Sequence, residues 1–509
     1  MAMPQARFLS IIGPVAVVLF SLFSVAFLTE HYFPIEPDVA NSPLVWRMFL
    51  SEGFTAFKDW RPTPDNWYFT TYPINFLFFA LSGSDGPGVL ALATSLFISL
   101  SALILYFVMS SVQKKLPTLC VVLCLTLLPA HVYIFGYAAH PFSHYSTNFF
   151  GILVFALCFI NLTRQSIPLA CFTCILAMLA SVSDPWFQAT YFLPLLIVNV
   201  YFSQKKIIRP AITITLAIGF ISTLSNLALL QRLLGLPLQR FRIAPPEQWI
   251  TNTSQVVDNL GNCLNLFFIH TPFTASLSFF LWAAIFLYAV VTAIKTGTKN
   301  GLYIGLFSFL TVSGILSSFI LSYQFPQGAT GARFFSNAIC FGIFATAFGL
   351  SLTRHRLLML IFPLYLASSL YSYSEQHDTP LNQAVKTEEY MTFLQQHDLK
   401  FGYSDYWHMS NTVNWLSYGK MHITPIMFDD QRQRVEFDRA RPQSMKSWLS
   451  PEWLNAAPER QFFVLPLIET STPADQQLKA ITTQIGEPDE IIPFQHLMIL
   501  VYHHRISVH

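Results

Sequence analysis

Residues 8–38 read FLSIIGPVAVVLFSLFSVAFLTEHYFPIEPD. No charge interrupts Phe8 to Leu28, and at about 1.5 Å per helical residue such a run crosses a hydrocarbon core of about 30 Å. The run is too long for a signal-peptide core and lacks a convincing cleavage site, so it reads as an uncleaved anchor. A few residues later Glu36-Pro37-Asp38 opens a long polar loop. A carboxylate this close to the hydrocarbon boundary is costly unless solvated or paired, which makes Asp38 a candidate catalytic base at a membrane surface.

Working outward, the rest of the chain repeats the apolar theme. Of 509 residues, 53% are hydrophobic, 16% aromatic and 11% charged, against about 25% charged in soluble proteins. Eleven spans are expected, at about 8–28, 89–112, 116–136, 147–162, 166–182, 186–202, 210–231, 277–295, 301–322, 335–352 and 357–373. Short connections on one side carry Lys114, Lys115, Arg164, Lys205, Lys206, Arg209, Lys295, Lys299, Arg354 and Arg356 with no acid. The opposite short connections carry almost no base except Arg333. The positive-inside rule makes the basic side cytoplasmic. An odd number of spans then puts the N-terminus inside and the stretches 29–88, 232–276 and 374–509 outside.

The apolar piece 72–82 is too short to span and is expected at the interface, while Ser42 to Phe57 has the spacing of a helix lying on the membrane. From Glu375 onward charge becomes frequent. Helical pieces at about 382–396 and 472–482 alternate with strand-like runs at 461–466 and 497–502, which predicts a small α/β domain. The fold class is therefore mainly α, a polytopic membrane domain over 1–373 followed by an outer α/β domain over 374–509. A formal net charge of +2 gives no footprint for nucleic acid. Six of the seven cysteines sit in apolar runs. Cys171 and Cys174 have metal-site spacing but no second pair, and read as packing residues.

Acidic residues are scarce in the membrane half. Asp184 alone lies between Asp85 and Glu247, and none lies between Asp258 and Glu375. Asp184, in Ser183-Asp184-Pro185-Trp186, reads as a helix N-cap, a functional carboxylate, or both. His140 and His144 share one outer loop with Pro141 between them. They suit a substrate-binding pair or plain interfacial residues better than a metal site. Arg333 has the planar, permanently charged group suited to a lipid phosphate, or to snorkelling toward headgroups. Arg240 and Arg242 are weaker candidates for the same task. Asp65, Trp67 and Tyr68 fall in an aromatic run, Asp65 to Pro73, that fits an interfacial belt or a groove for sugar rings. In the tail, Tyr403, Asp405, Tyr406 and Trp407 are either acceptor contacts or packing residues.

This arrangement resembles the GT-C integral-membrane glycosyltransferases, which take sugar from a polyprenyl-phosphate carrier. The likeness rests on Glu36-Pro37-Asp38 after the first span, the surface-helix run, the segment Asp65 to Pro73, Arg333-Phe334-Phe335 before a late span, and the outer tail. Phe401 to His408 and Leu416 to Lys420 are similar to bacterial members acting on cell-envelope glycans. The O-antigen-modifying (serotype-conversion) glucosyltransferases are similar in size and layout. The resemblance implies a polyprenyl-phosphate-linked sugar donor and an envelope glycan acceptor, with a lipid-linked sugar transporter (flippase) or an O-antigen polymerase as the alternative. The uncleaved anchor, the basic inner loops and the lack of eukaryotic targeting signals fit a bacterial inner membrane, with the active side in the periplasm. The resemblance implies Asp38 as general base and Arg333 on the leaving phosphate; Glu36, Asp65, Trp67 and Tyr68, and by their location His140, His144 and Asp184, are expected around the substrates. Some relatives use a divalent metal. No compact ligand set stands in this sequence, and no obligatory cofactor is expected.

Overall fold

The computed structural model describes all residues except 1–2, 114, 137–143, 234–241, 324–327, 376–380, 468–472 and 507–509. Each of the eleven apolar segments falls on a helix or on a pair of broken helices. Among the described residues, six helices are both long and apolar enough to cross a bilayer. Phe23, Phe27, Phe273 and Phe280 stand exposed on them, as expected where lipid rather than water is the neighbour. The helix Ser336–Ser351 is buried nearly all round. It packs against Pro272–Lys295, Lys299–Ser322 and Lys115–Thr126. Gly349 permits one of these approaches: a Cβ there would lie 2.2 Å from the Ala289 carbonyl oxygen, the small-residue contact of membrane helices.

Two segments differ from the expected single helices, each for a local reason. The helix Lys115–Thr126 stops before Pro129, and a short helix, Ala130–Ile134, follows. Proline cannot donate to the ladder and clashes with the preceding turn. The freed carbonyl of Leu127 accepts Ser369 Oγ at 2.6 Å, Tyr373 serves Leu128, and Ser372 Oγ accepts the Ala130 amide at 2.9 Å. The surface segment splits into Asn41–Glu52 and Thr55–Asp59 because Gly53 between them adopts φ +64°, outside the helical region. The interfacial piece is a helix, Tyr72–Ser82.

The tail builds a five-stranded sheet in the order His422–Pro425, Phe401–Ser404, Gln461–Pro466, Leu497–Tyr502, Glu490–Phe494. The first three strands are parallel and the last two pair antiparallel. Every residue of Gln461–Pro466 is buried, because both faces are covered. Phe462 and Val464 meet Tyr390 and Leu394 on one face. Phe463 and Leu465 meet Ile481 on the other.

The first outer loop and the tail are fastened to each other. Trp60 and Arg61 pair antiparallel with Met445 and Ser444. Asp59 accepts the Ser447 amide at 2.9 Å and its hydroxyl at 2.5 Å. Arg47 grips Asp85 with two nitrogens, at 2.5 and 2.9 Å, and donates to the Trp415 carbonyl at 2.7 Å. The Trp415 indole returns to the Asp85 carbonyl at 2.9 Å. Val39, Leu44, Trp60, Tyr72 and Phe79 share one apolar cluster with Trp415, Met445 and Trp448.

Candidate active site

Asp38 sits in a turn that its neighbours dictate. The Val39 amide donates to the Glu36 carbonyl at 3.1 Å, with Pro37 in the position where its fixed φ favours a turn. The Asn41 amide donates to the Asp38 carbonyl at 3.3 Å, leading into the helix Asn41–Glu52. The Asp38 residue is only 8% exposed. Its Oδ1 accepts the Tyr406 hydroxyl at 2.5 Å, so the tail supplies a direct partner to the carboxylate. Asn41 Nδ2 donates to that hydroxyl at 3.2 Å, and Arg441 lies over the Tyr406 ring, 3.5 Å from its centre. Burial pushes the Tyr406 phenol up, Asp38 adds to the shift, and Arg441 opposes it. Glu36 is half-buried at the head of the turn.

A second group of side chains gathers around Asp184, at the end of the helix Ile167–Ser183. Asp184 is fully buried, where an unpaired carboxylate is very costly. It is well supplied. Oδ2 contacts His144 Nδ1 at 2.5 Å and accepts the Thr147 hydroxyl at 2.6 Å, while Oδ1 accepts the Trp186 amide at 3.0 Å. Asp184 therefore caps the backbone of the next segment and also contacts a histidine. The His144 ring stands among Trp67, Trp186 and Phe334, with ring centres 5.6, 6.4 and 4.9 Å away. Beyond Trp186 the chain makes a π-helical turn, Gln188–Phe192, and the Thr190 carbonyl accepts the Thr311 hydroxyl.

The segment 65–69 is held against that helix end. Asn66 Nδ2 donates to the Val182 carbonyl at 2.7 Å, the Asn66 amide to the Ser183 carbonyl at 2.9 Å, and the Phe69 amide to Ser183 Oγ at 2.9 Å. These bonds satisfy carbonyls that a helix end leaves open. The Asp65 carboxyl is brought within electrostatic reach of His144, Asp184 and Arg333. Burial pushes it up from the usual carboxylate range and Asp184 adds to that, while His144 and Arg333 oppose. Arg333 lies over Phe334 at 5.0 Å and hydrogen-bonds the Tyr323 side chain. Gly136, at φ +152°, backs onto Arg333, and a Cβ there would stand 3.2 Å from that of Arg333. Tyr72 lies within electrostatic reach of both Asp38 and Asp65.

Of the residues singled out from sequence, Trp67, His144 and Asp184 come together, Asp65 lies within electrostatic reach of His144, Asp184 and Arg333, and Asp38 belongs to the first group with Tyr406. Tyr68 turns instead toward Phe57, donating to its carbonyl at 3.4 Å. Arg242 is exposed. His140 and Arg240 lie outside the described residues. In the tail only Tyr406 reaches Asp38. Tyr403 is buried in the sheet core, Asp405 accepts the His408 amide and ring within its own turn, and Trp407 is exposed. Sequence reading missed Asn41, Asn66, Thr147, Asn411 and Arg441, which carry no local pattern. Among the described residues no three His, Cys, Asp or Glu side chains converge as a metal site would need.

This fold, a helical membrane bundle with an α/β tail packed against the loop that carries Asp38, has counterparts among solved structures. Its solved counterparts include ArnT from Cupriavidus metallidurans. The apo state matches with TM-score 0.56 and 12% identity over 97% of this chain and 98% of that chain. ArnT bound to undecaprenyl phosphate matches with TM-score 0.56 and 12% identity over 96% and 97%. No protein-family model and no curated protein matches the chain.

Proposed function

We propose that this protein is a glycosyltransferase that moves a sugar from a polyprenyl-phosphate carrier to a cell-envelope glycan such as O-antigen. It would act at the periplasmic face of a bacterial inner membrane, with eleven crossings and the N-terminus in the cytoplasm. The observation that carries this reading is the whole-chain correspondence with ArnT, a structure seen with undecaprenyl phosphate in place, joined to an Asp38 carboxylate held where a loop meets the bundle.

The chemistry asks for three things. A base takes the proton of the acceptor hydroxyl as that oxygen bonds to the anomeric carbon. Asp38 fills this role, and a positioned base contributes about a hundredfold or more. The anomeric bond to phosphate breaks with its electron pair going to the phosphate. Arg333 meets that charge with fixed donors. Trp67, Trp186 and Phe334 surround the His144 ring, and aromatic faces of this kind suit a sugar ring. The residues present supply this without a compact metal-ligand set, so the reading needs no divalent ion.

The test is transfer by purified full-length protein from a panel of radiolabelled polyprenyl-phosphate sugars to envelope glycan extracts. Label reaching glycan supports the reading. Folded protein that releases no label from any donor contradicts it.

A further inference from the structure

We propose that Tyr406, carried by the C-terminal region, is a positioning residue for the Asp38 carboxylate, so that the tail is a working part of the transfer site. This rests on Asp38 serving as the base.

The shorter bonds of the network share one direction, the Tyr406 hydroxyl lying farther from Asn41 Oδ1, at 3.5 Å, than from Asp38 Oδ1. Asn411 Nδ2 donates to the Gln443 carbonyl at 2.8 Å and to Asn41 Oδ1 at 3.2 Å. With its oxygen engaged, Asn41 turns Nδ2 to the Tyr406 oxygen at 3.2 Å. The phenol accepts there, so its own proton is committed to Asp38 Oδ1 at 2.5 Å. Amide orientation is thus settled by partners at both ends. Arg441 is held by the Pro442 carbonyl at 2.7 Å and Gln443 Oε1 at 2.8 Å. Its guanidinium over the ring strengthens the phenol as a donor to an anion.

Two chain regions 368 residues apart therefore share one buried network. Asp38 and Asn41 come from the first outer loop, and Tyr406, Asn411, Arg441 and Gln443 from the tail. Fixing Oδ1 fixes the plane of the carboxylate, and with it the direction in which the second oxygen meets an acceptor hydroxyl. Small errors of placement at a reacting group cost large factors in rate. The loop–tail fastenings at Asp59, Trp60 and Arg47 keep Tyr406 in register independently of its hydroxyl.

The test compares wild type, Tyr406→Phe, Asn41→Ala and Asp38→Asn as full-length proteins, with rates normalised to folded protein. Tyr406→Phe keeps the ring beneath Arg441 and removes one hydroxyl. Its kcat is expected to fall about ten- to a hundredfold with KM for donor and acceptor unchanged, the scale of one lost bond to a charged group. Asn41→Ala falls in the same direction by less, and serves if Tyr406→Phe does not fold. Wild-type kcat in both variants, beside an inactive Asp38→Asn, overturns this inference and leaves the base in place. A rise confined to the acceptor KM makes Tyr406 an acceptor contact and also overturns it. Wild-type turnover in Asp38→Asn removes the base reading, and the inference with it.

Discussion

Asp184 holds His144: one carboxylate oxygen lies 2.5 Å from the imidazole Nδ1, tying the start of the helix Tyr145–Arg164 to the end of the helix Ile167–Ser183. The same oxygen accepts Thr147, and Asn66 and Phe69 of the first outer loop hang from the adjoining residues, Val182 and Ser183. One buried carboxylate thus organises three segments. Asp184→Ala leaves His144 and Thr147 without their acceptor, and removing one side of a buried charged network costs about 3 kcal/mol or more. Thermal unfolding in detergent is expected to show a clearly lowered midpoint together with lost transfer. An unchanged midpoint would mean that the network carries little of the stability.

Arg333 is expected to serve the donor. Arg333→Ala should raise the KM for the polyprenyl-phosphate sugar and lower kcat about tenfold or more, a charge-assisted bond being worth about 1.5–3 kcal/mol. Arg333→Lys should recover part of the loss, because a point charge replaces the planar fork. Steady-state kinetics with each substrate varied in turn checks this. An effect confined to the acceptor KM would contradict the phosphate role.

Chelation should leave transfer essentially intact, since the described residues offer no converging metal ligands. Activity after dialysis against a strong chelator is the measurement. Loss restored by a divalent ion would place a metal in the reaction.

Acid should loosen the tail sheet through His422. Burial among Phe401, Trp448 and Trp453 holds this imidazole down, to about 3, whereas an unfolded histidine takes its proton near about 6.5. Between these values the unfolded chain binds more protons, so its contribution to stability is present above about pH 6.5 and is lost as pH falls toward 3. Hydrogen exchange, corrected for intrinsic rates, should show Phe401–Ser404 and His422–Pro425 losing protection across that window. In His422→Phe the dependence should flatten. Equal pH dependence in both proteins would remove His422 as the cause.

Much of the helical framework was legible because lipid-facing helices need long apolar runs and a bilayer permits few other solutions. The runs Gln461–Pro466 and Leu497–Tyr502 were legible as strands because burial on both faces leaves short, nearly continuous apolar stretches. The breaks at Gly53 and Pro129 are written in the sequence, but the helical spacing from Ser42 to Phe57 runs across the first and the apolar run 116–136 across the second. The site was legible in single residues rather than in its connections. Asp38, Asp184 and Arg333 stand out because charge is rare near a membrane. Asn41 and Arg441 do not, and Tyr406, read only as an acceptor contact or a packing residue, reaches Asp38 from 368 residues away, a link that no periodic signal gives. Asn66 acts by capping a distant helix end, which no local spacing reveals.

The central claim is that the Asp38 carboxylate takes the acceptor proton. Its most direct test is single-turnover transfer by Asp38→Asn beside wild type, with donor binding measured on the same samples. The account predicts that Asp38→Asn binds the polyprenyl-phosphate sugar as wild type does and transfers at least a hundredfold more slowly. Transfer at the wild-type rate would contradict it and move the search for the base to Glu36, Asp65 and Asp184.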